Sequence, residues 1–177
     1  MIDEDVLIRS VVDATSEVFA TMLDMKVEFA GMAADAEASG SGLISLVGIT
    51  GDWGGSGVFC CSPRFAAIVC GRMLGSEVDP ANPVINEEVL DVVAELTNMM
   101  VGNIKNGLEP ITGPLAISVP TVIHGRNFQF RNAAGLKGAS LRFEGEDEQF
   151  EVRIALAPVA VKSTGHPKIP VLGLAHA

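Results

Sequence analysis

In the stretch NEEVLDVVAELTNMMVGNIKNG, Asp91, Glu95, Asn98 and Gly102 follow one another at steps of four, three and four residues. On an α-helix that spacing stacks them along one face. One side of an otherwise apolar helix then shows two carboxylates, a carboxamide and bare backbone in a line. The carboxylates accept hydrogen bonds and carry charge, whereas the carboxamide both donates and accepts. A glycine inside a helix costs about 1 kcal/mol relative to alanine, and a group that must come close to the backbone at Gly102 would account for it. Room for a crossing helix would account for it equally. Polar residues on the outer face of an amphipathic helix need no function of their own, so the line alone defines a candidate surface.

The helix that carries the line is the third and longest of three. Asn86 caps it, and Glu87 and Glu88 in its first turn are favoured by the helix dipole. Val89, Val92, Val93, Leu96, Met100, Asn103 and Ile104 form the expected buried stripe, Gly107 the stop, with Pro110 beyond. A first helix, capped by Asp3 or Asp5, runs to about Met22 on Leu7, Val11, Ala14 and Val18. A second opens with Ser62-Pro63, packs through Phe65, Ile68, Val69 and Met73, and stops at Gly75.

Strands are expected at KVEFAGM, SGLISLVGITG, SGVFCCS, LAISVPTVI, NFQFR, LKGASLRFEG and QFEVRIALA. A polar loop, AADAEASGSG, separates the first two. A hairpin turn, Gly51-Asp52-Trp53-Gly54-Gly55, joins the second and third, and the acidic turn GEDEQ joins the last two. The lone Trp53 is expected to brace its hairpin rather than to make a contact surface. Strands outnumber helices and most are joined by tight turns, which predicts an α+β fold: a largely antiparallel sheet with three main helices packed against it. A chain of 177 residues suits one domain, over 1–160, with 161–177 as a poorly packed tail or docking arm.

Apolar residues make up 48% and charged residues 19%, an ordinary globular balance. The formal net charge of −10 disfavours nucleic-acid and membrane-surface partners. No apolar run approaches the length that spans a bilayer. The start MIDEDVLIRS carries acids where a signal peptide would carry basic residues, so a cytoplasmic protein is expected. Cys60, Cys61 and Cys70 form no CxxC and read as small hydrophobic packing. His124, at a turn after an apolar run, and His166 and His176 in the tail have no metal-ligand spacing.

With these elements laid out, the sequence resembles the CheC/CheX/FliY family of chemotaxis phosphatases, in its CheX form. The resemblance is carried by Asp91, Glu95, Asn98 and then Pro120, in DVVAELTNMMVGNIKNGL and SVPTVIHG. The hairpin GDWGGSGVF and the helix ending RMLG add to it, and it spans Ile2 to Ala157. CheC members carry the motif on two pseudo-symmetric helices. The first helix here has Asp13 and Glu17 at the right spacing but Ala20 where the carboxamide would stand, the one-site pattern of CheX.

The resemblance implies that the substrate is the aspartyl phosphate of a CheY-like response-regulator receiver domain. It implies that Asn98 holds the attacking water in line and that Glu95 pairs with the receiver's active-site lysine. Asp91 and Gly102 then belong to the partner-binding surface. No cofactor of its own is implied, since the Mg²⁺ sits in the receiver. A homodimer is implied too, through sheet edges or C-terminal strands; LAISVPTVI is an apolar edge that needs cover. Two other roles stay open: a non-catalytic module that sequesters a phosphorylated receiver, and a part of a flagellar-switch assembly.

Overall fold

Asp3, Ser62 and Asn86 each open a helix in the way their side chains allow. Their oxygens accept the N–H groups of Asp5, Phe65 and Val89, each at 3.0 Å. Each satisfies a donor that the first helical turn leaves without an intrahelical partner. The helices that follow are α1 (Glu4–Leu23), α2 (Pro63–Leu74) and α3 (Glu87–Thr112). The computed structural model describes residues 2–33, 38–130 and 136–159, so the expected tail at 161–177 lies outside the described residues.

Helix α2 stops at a left-handed Gly75 as expected. Helix α3 does not stop at Gly107. It continues to Thr112 and ends on Gly113, whose φ is 77°. Burial of Leu108 and Thr112 outweighs the cost of about 1 kcal/mol for an interior glycine. Pro110 falls inside the last turn, where its missing N–H removes the usual intrahelical donor to the carbonyl of the exposed Asn106.

The strands are β1 (Glu28–Met32), β2 (Ala38–Gly51), β3 (Trp53–Cys61), β4 (Leu115–Ile117), β5 (Thr121–Phe130), β6 (Lys137–Gly145) and β7 (Glu148–Pro158). They form one sheet in the order β1-β6-β7-β3-β2-β4, with β5 also paired to β2, and every pairing is antiparallel. With three helices on this sheet, the fold is α+β. Glu146 and Asp147, with φ of 52° and 57°, make the two-residue β6–β7 turn that right-handed strand twist favours.

Three expected boundaries move, two because a neighbouring strand imposes pairing and one because of a proline. Strand β2 begins at Ala38, inside the expected polar loop, where it pairs with β5. Gly54 and Gly55, expected in the hairpin turn, belong to β3 and pair with Ala157 and Leu156. The expected strand LAISVPTVI is two strands: Pro120, lacking an N–H, falls in the break, and β5 then runs into the segment expected as NFQFR. His124 consequently sits in mid-strand opposite Leu43 rather than at a turn. Strand β7, the last strand described, is flanked by β6 and β3 along its length, so dimer pairing through it has no free edge to use.

The core lies between the helices and one face of the sheet. Phe150 of β7 is at its centre, with the rings of Phe65, Phe19, Phe143 and Phe59 at centroid distances of 4.8, 4.9, 5.4 and 5.6 Å. Trp53 is half-buried and packs onto the same core, so it braces the hairpin. Cys61 and Cys70 are buried and Cys60 half-buried, and all three are free. Burial pushes the Cys60 thiol up to about 11 and raises those of Cys61 and Cys70 as well, which keeps them protonated and unreactive. Among the described residues, no helix is long and apolar enough to cross a membrane.

Candidate functional site

Helix α3 lies close to the sheet because β3 offers it a glycine. A Cβ on Gly57 would come within 2.5 Å of Val101 Cγ2, so only bare backbone lets the helix settle there. The consequence is a wider buried stripe than the sequence suggested. Thr97, Val101 and Leu108 are buried together with Val89, Val92, Val93, Leu96, Met100 and Ile104. Thr97, sealed in the core, donates to the Val93 carbonyl at 2.7 Å. Asn103, expected in the stripe, is instead half-buried at its rim. At about 100° per residue, the centre of the buried face is turned by about 60° from Leu96 toward Val101.

That rotation sets the polar line directly opposite the core. Asp91 and Glu95 are exposed, and Asn98 and Gly102 are half-buried. All four expected site residues share this face. No hydrogen bond or ion pair from the described residues engages the side chains of Asp91, Glu95 or Asn98. Their carboxylates and carboxamide are unspent, which suits groups that act on a second molecule. Among the described residues, a Cβ at Gly102 would have only Ile117 Cδ1 near it, at 3.8 Å. The glycine is thus not needed for a crossing helix, and the backbone there is open from outside. Beside Asp91 runs a shallow groove lined by Leu74, Asn86, Glu87, Glu88 and Val92.

The other residues singled out lie elsewhere. Asp13, Glu17 and Ala20 are exposed on the outer face of α1. Pro120 is half-buried in the β4–β5 connection. Among the described residues, no group of three or more His, Cys, Asp or Glu side chains is placed to hold a metal.

Sequence reasoning missed a clamp beside the line. Lys105 Nζ donates to Glu109 Oε1 at 2.6 Å and to the Leu115 carbonyl at 3.1 Å, while the Leu115 N–H donates to Glu109 Oε1 at 3.1 Å. The Lys105 hydrogen bond, aided by that of the Leu115 N–H, holds the Glu109 carboxyl below the usual carboxylate range. Further on, the Ser118 N–H donates to the Gly48 carbonyl at 2.9 Å. Ser118 Oγ accepts from the Gly48 N–H at 2.9 Å and donates to the Val119 carbonyl at 2.9 Å. Strand β4 and the residues after it are therefore pinned to α3 at one end and to β2 at the other. The signal was the Lys105–Glu109 spacing of four, overlooked because the helix was expected to have ended.

The fold is thus an antiparallel sheet backed by three helices, with an unspent Glu-x-x-Asn pair on the outer face of the longest. The family model of the chemotaxis phosphatase CheX matches residues 43–144, more than half of the chain and all of α3. The chain belongs to that family, and its activity is that of a phosphatase. A CheC-like superfamily protein from Shewanella sp. PV-4 is similar over 88% of this chain and 99% of its own, at TM-score 0.72 and 23% identity. A putative chemotaxis protein from Desulfovibrio vulgaris Hildenborough is similar over 85% and 96%, at TM-score 0.74 and 22% identity. A chain of the CheX–CheY–BeF3–Mg²⁺ complex from Borrelia burgdorferi is similar over 88% and 99%, at TM-score 0.64 and 26% identity. No curated protein matches the sequence.

Proposed function

We propose that this phosphatase hydrolyses the aspartyl phosphate of a CheY-like receiver domain, and that Glu95 and Asn98 of α3 are the residues that do it. The observation that carries the reading is the pair itself: i and i+3 on one helix, facing solvent, with no intramolecular partner among the described residues. In the reaction, water adds at phosphorus, the bond to the aspartate oxygen breaks, and the aspartate carboxylate and dihydrogen phosphate result. The carboxamide of Asn98 accepts from and donates to that water and holds it in line with the leaving oxygen. Phosphoryl transfer is governed by positioning and by neutralised charge, so a catalyst without its own base is sufficient. Glu95 pairs with a cationic side chain of the receiver and sets the register, Asp91 lies farther along the same contact, and Gly102 lets the partner's backbone approach.

The Mg²⁺ belongs to the receiver in this reading, as suggested by the Borrelia complex, which contains CheY, BeF3 and Mg²⁺ together. A homodimer is proposed with it. Among the described residues the free edges are β1 and the β4–β5 side, where Ile123 is 49% exposed. An uncovered apolar edge of the kind foreseen in LAISVPTVI invites pairing, and β5, beyond Pro120, offers one around Ile123.

The test is phosphoryl loss from a purified phospho-receiver at several enzyme concentrations. Asn98→Ala should lower turnover by about 10²-fold, the typical cost of removing one group that acts in the transition state, with receiver binding retained. Glu95→Ala should weaken binding and turnover together, because the receiver's cation then loses its mate. Asn98→Ala with wild-type turnover would overturn the mechanism and leave a sequestering module as the better account.

A further inference from the structure

Val119 has the most exposed large apolar side chain described, at 84%. One exposed valine needs no explanation by itself. Its mounting is unusual, however. It follows Ser118, which is fixed to Gly48 of β2 by two hydrogen bonds and closes a third onto Val119's own carbonyl. Pro120, with its fixed φ, comes next. Two residues earlier, Ile117 reaches to within 3.8 Å of where a Gly102 Cβ would be. A loop tip that needed only solubility would not hold an apolar group out on such a rigid base.

The polar line has a shortage that this loop can meet. A specific interface covers about 800 Å² on each partner and has an apolar centre. Four residues along one helix, two of them carboxylates, supply neither the area nor the apolar surface. A pocket that holds Mg²⁺ beside a phosphorylated aspartate is itself rich in carboxylates, and this chain carries a net charge of −10. The pair between Glu95 and a receiver cation offsets part of this charge, and uncharged contact is the remaining source of attraction. Whatever reaches the open backbone at Gly102 meets Ile117 next.

We propose that Ile117 and Val119 form an apolar shoulder of the docking surface, on which the receiver sets an apolar side chain from the rim of its phosphorylation pocket. The proposal rests on the reading that α3 faces a receiver. Because the shoulder is held rigid before contact, little ordering cost opposes its use. It serves recognition and takes no part in the chemistry.

The test is the affinity for a CheY-type receiver loaded with Mg²⁺ and beryllofluoride, read beside turnover and sedimentation mass. Val119→Ser should weaken binding about tenfold, the effect of losing most of one buried valine's transfer energy. Melting temperature and mass should stay those of the parent chain. Unchanged affinity overturns the proposal. So does a loss of affinity that only follows a loss of self-association, which would assign Val119 to contact with a second copy. A parent chain that does not bind the loaded receiver overturns both this proposal and the reading beneath it. If Asn98→Ala keeps full turnover while Val119→Ser weakens binding, the shoulder stands and the catalytic assignment falls.

Discussion

At the scale of single residues, Gly102 separates stability from function most sharply. Its surroundings leave a methyl group free to fit, with Ile117 Cδ1 at ordinary contact distance. Gly102→Ala should therefore gain about 1 kcal/mol from helix propensity and raise the melting temperature by about 2–4 °C. Dephosphorylation by the same variant should fall, through weaker engagement of the phospho-receiver. Calorimetry and a concentration series of phosphate release check both halves; a stabilised variant with parental kinetics would show that nothing approaches this backbone. The line of Asp91, Glu95, Asn98 and Gly102 was legible in the sequence because helical periodicity depends on spacing alone. What spacing could not show was how far the helix turns on the sheet. That depends on Gly57, distant in sequence, admitting Val101, and it is why Asn103 was expected in the stripe and Thr97 and Val101 were not.

Among the elements, β4 depends on Glu109 for its attachment to α3. This carboxyl's folded pKa is depressed by Lys105 and by the Leu115 N–H. The sign follows from that depression: the attachment is complete above the ordinary carboxylate range and is lost as pH falls through the lowered folded value. An NMR titration of the Leu115 amide should show its shift held through the pH range where exposed glutamates protonate, and released only below it. A Leu115 amide that titrates with exposed glutamates would mean that the clamp is not formed in solution. The caps of all three helices and the stop of α2 were readable because each rests on one side chain or one glycine. The end of α3 and the split at Pro120 were not, because buried Leu108 and pairing with β2 override the local signals of Gly107 and of an apolar run.

For the whole molecule, the expected assembly is a symmetric pair joined along the free edge of β5. Sedimentation equilibrium at micromolar concentration should report twice the chain mass of 18.5 kDa, and a single 18.5 kDa species would remove the dimer. The α+β class was readable from the balance of strands and helices, and the strand order was not, since it joins segments as distant as β1 and β6. The polar line of α3 carries one more consequence, for how such a chain can change over time. Its members are aligned only by counting residues around a helix, and deleting or inserting one residue between Asp91 and Gly102 would swing part of the line away by about 100°. Substitutions can retune this surface one group at a time, whereas length changes there dismantle it in a single step. Variation in length among working relatives should therefore collect in the turns and spare these 12 positions, 91 to 102.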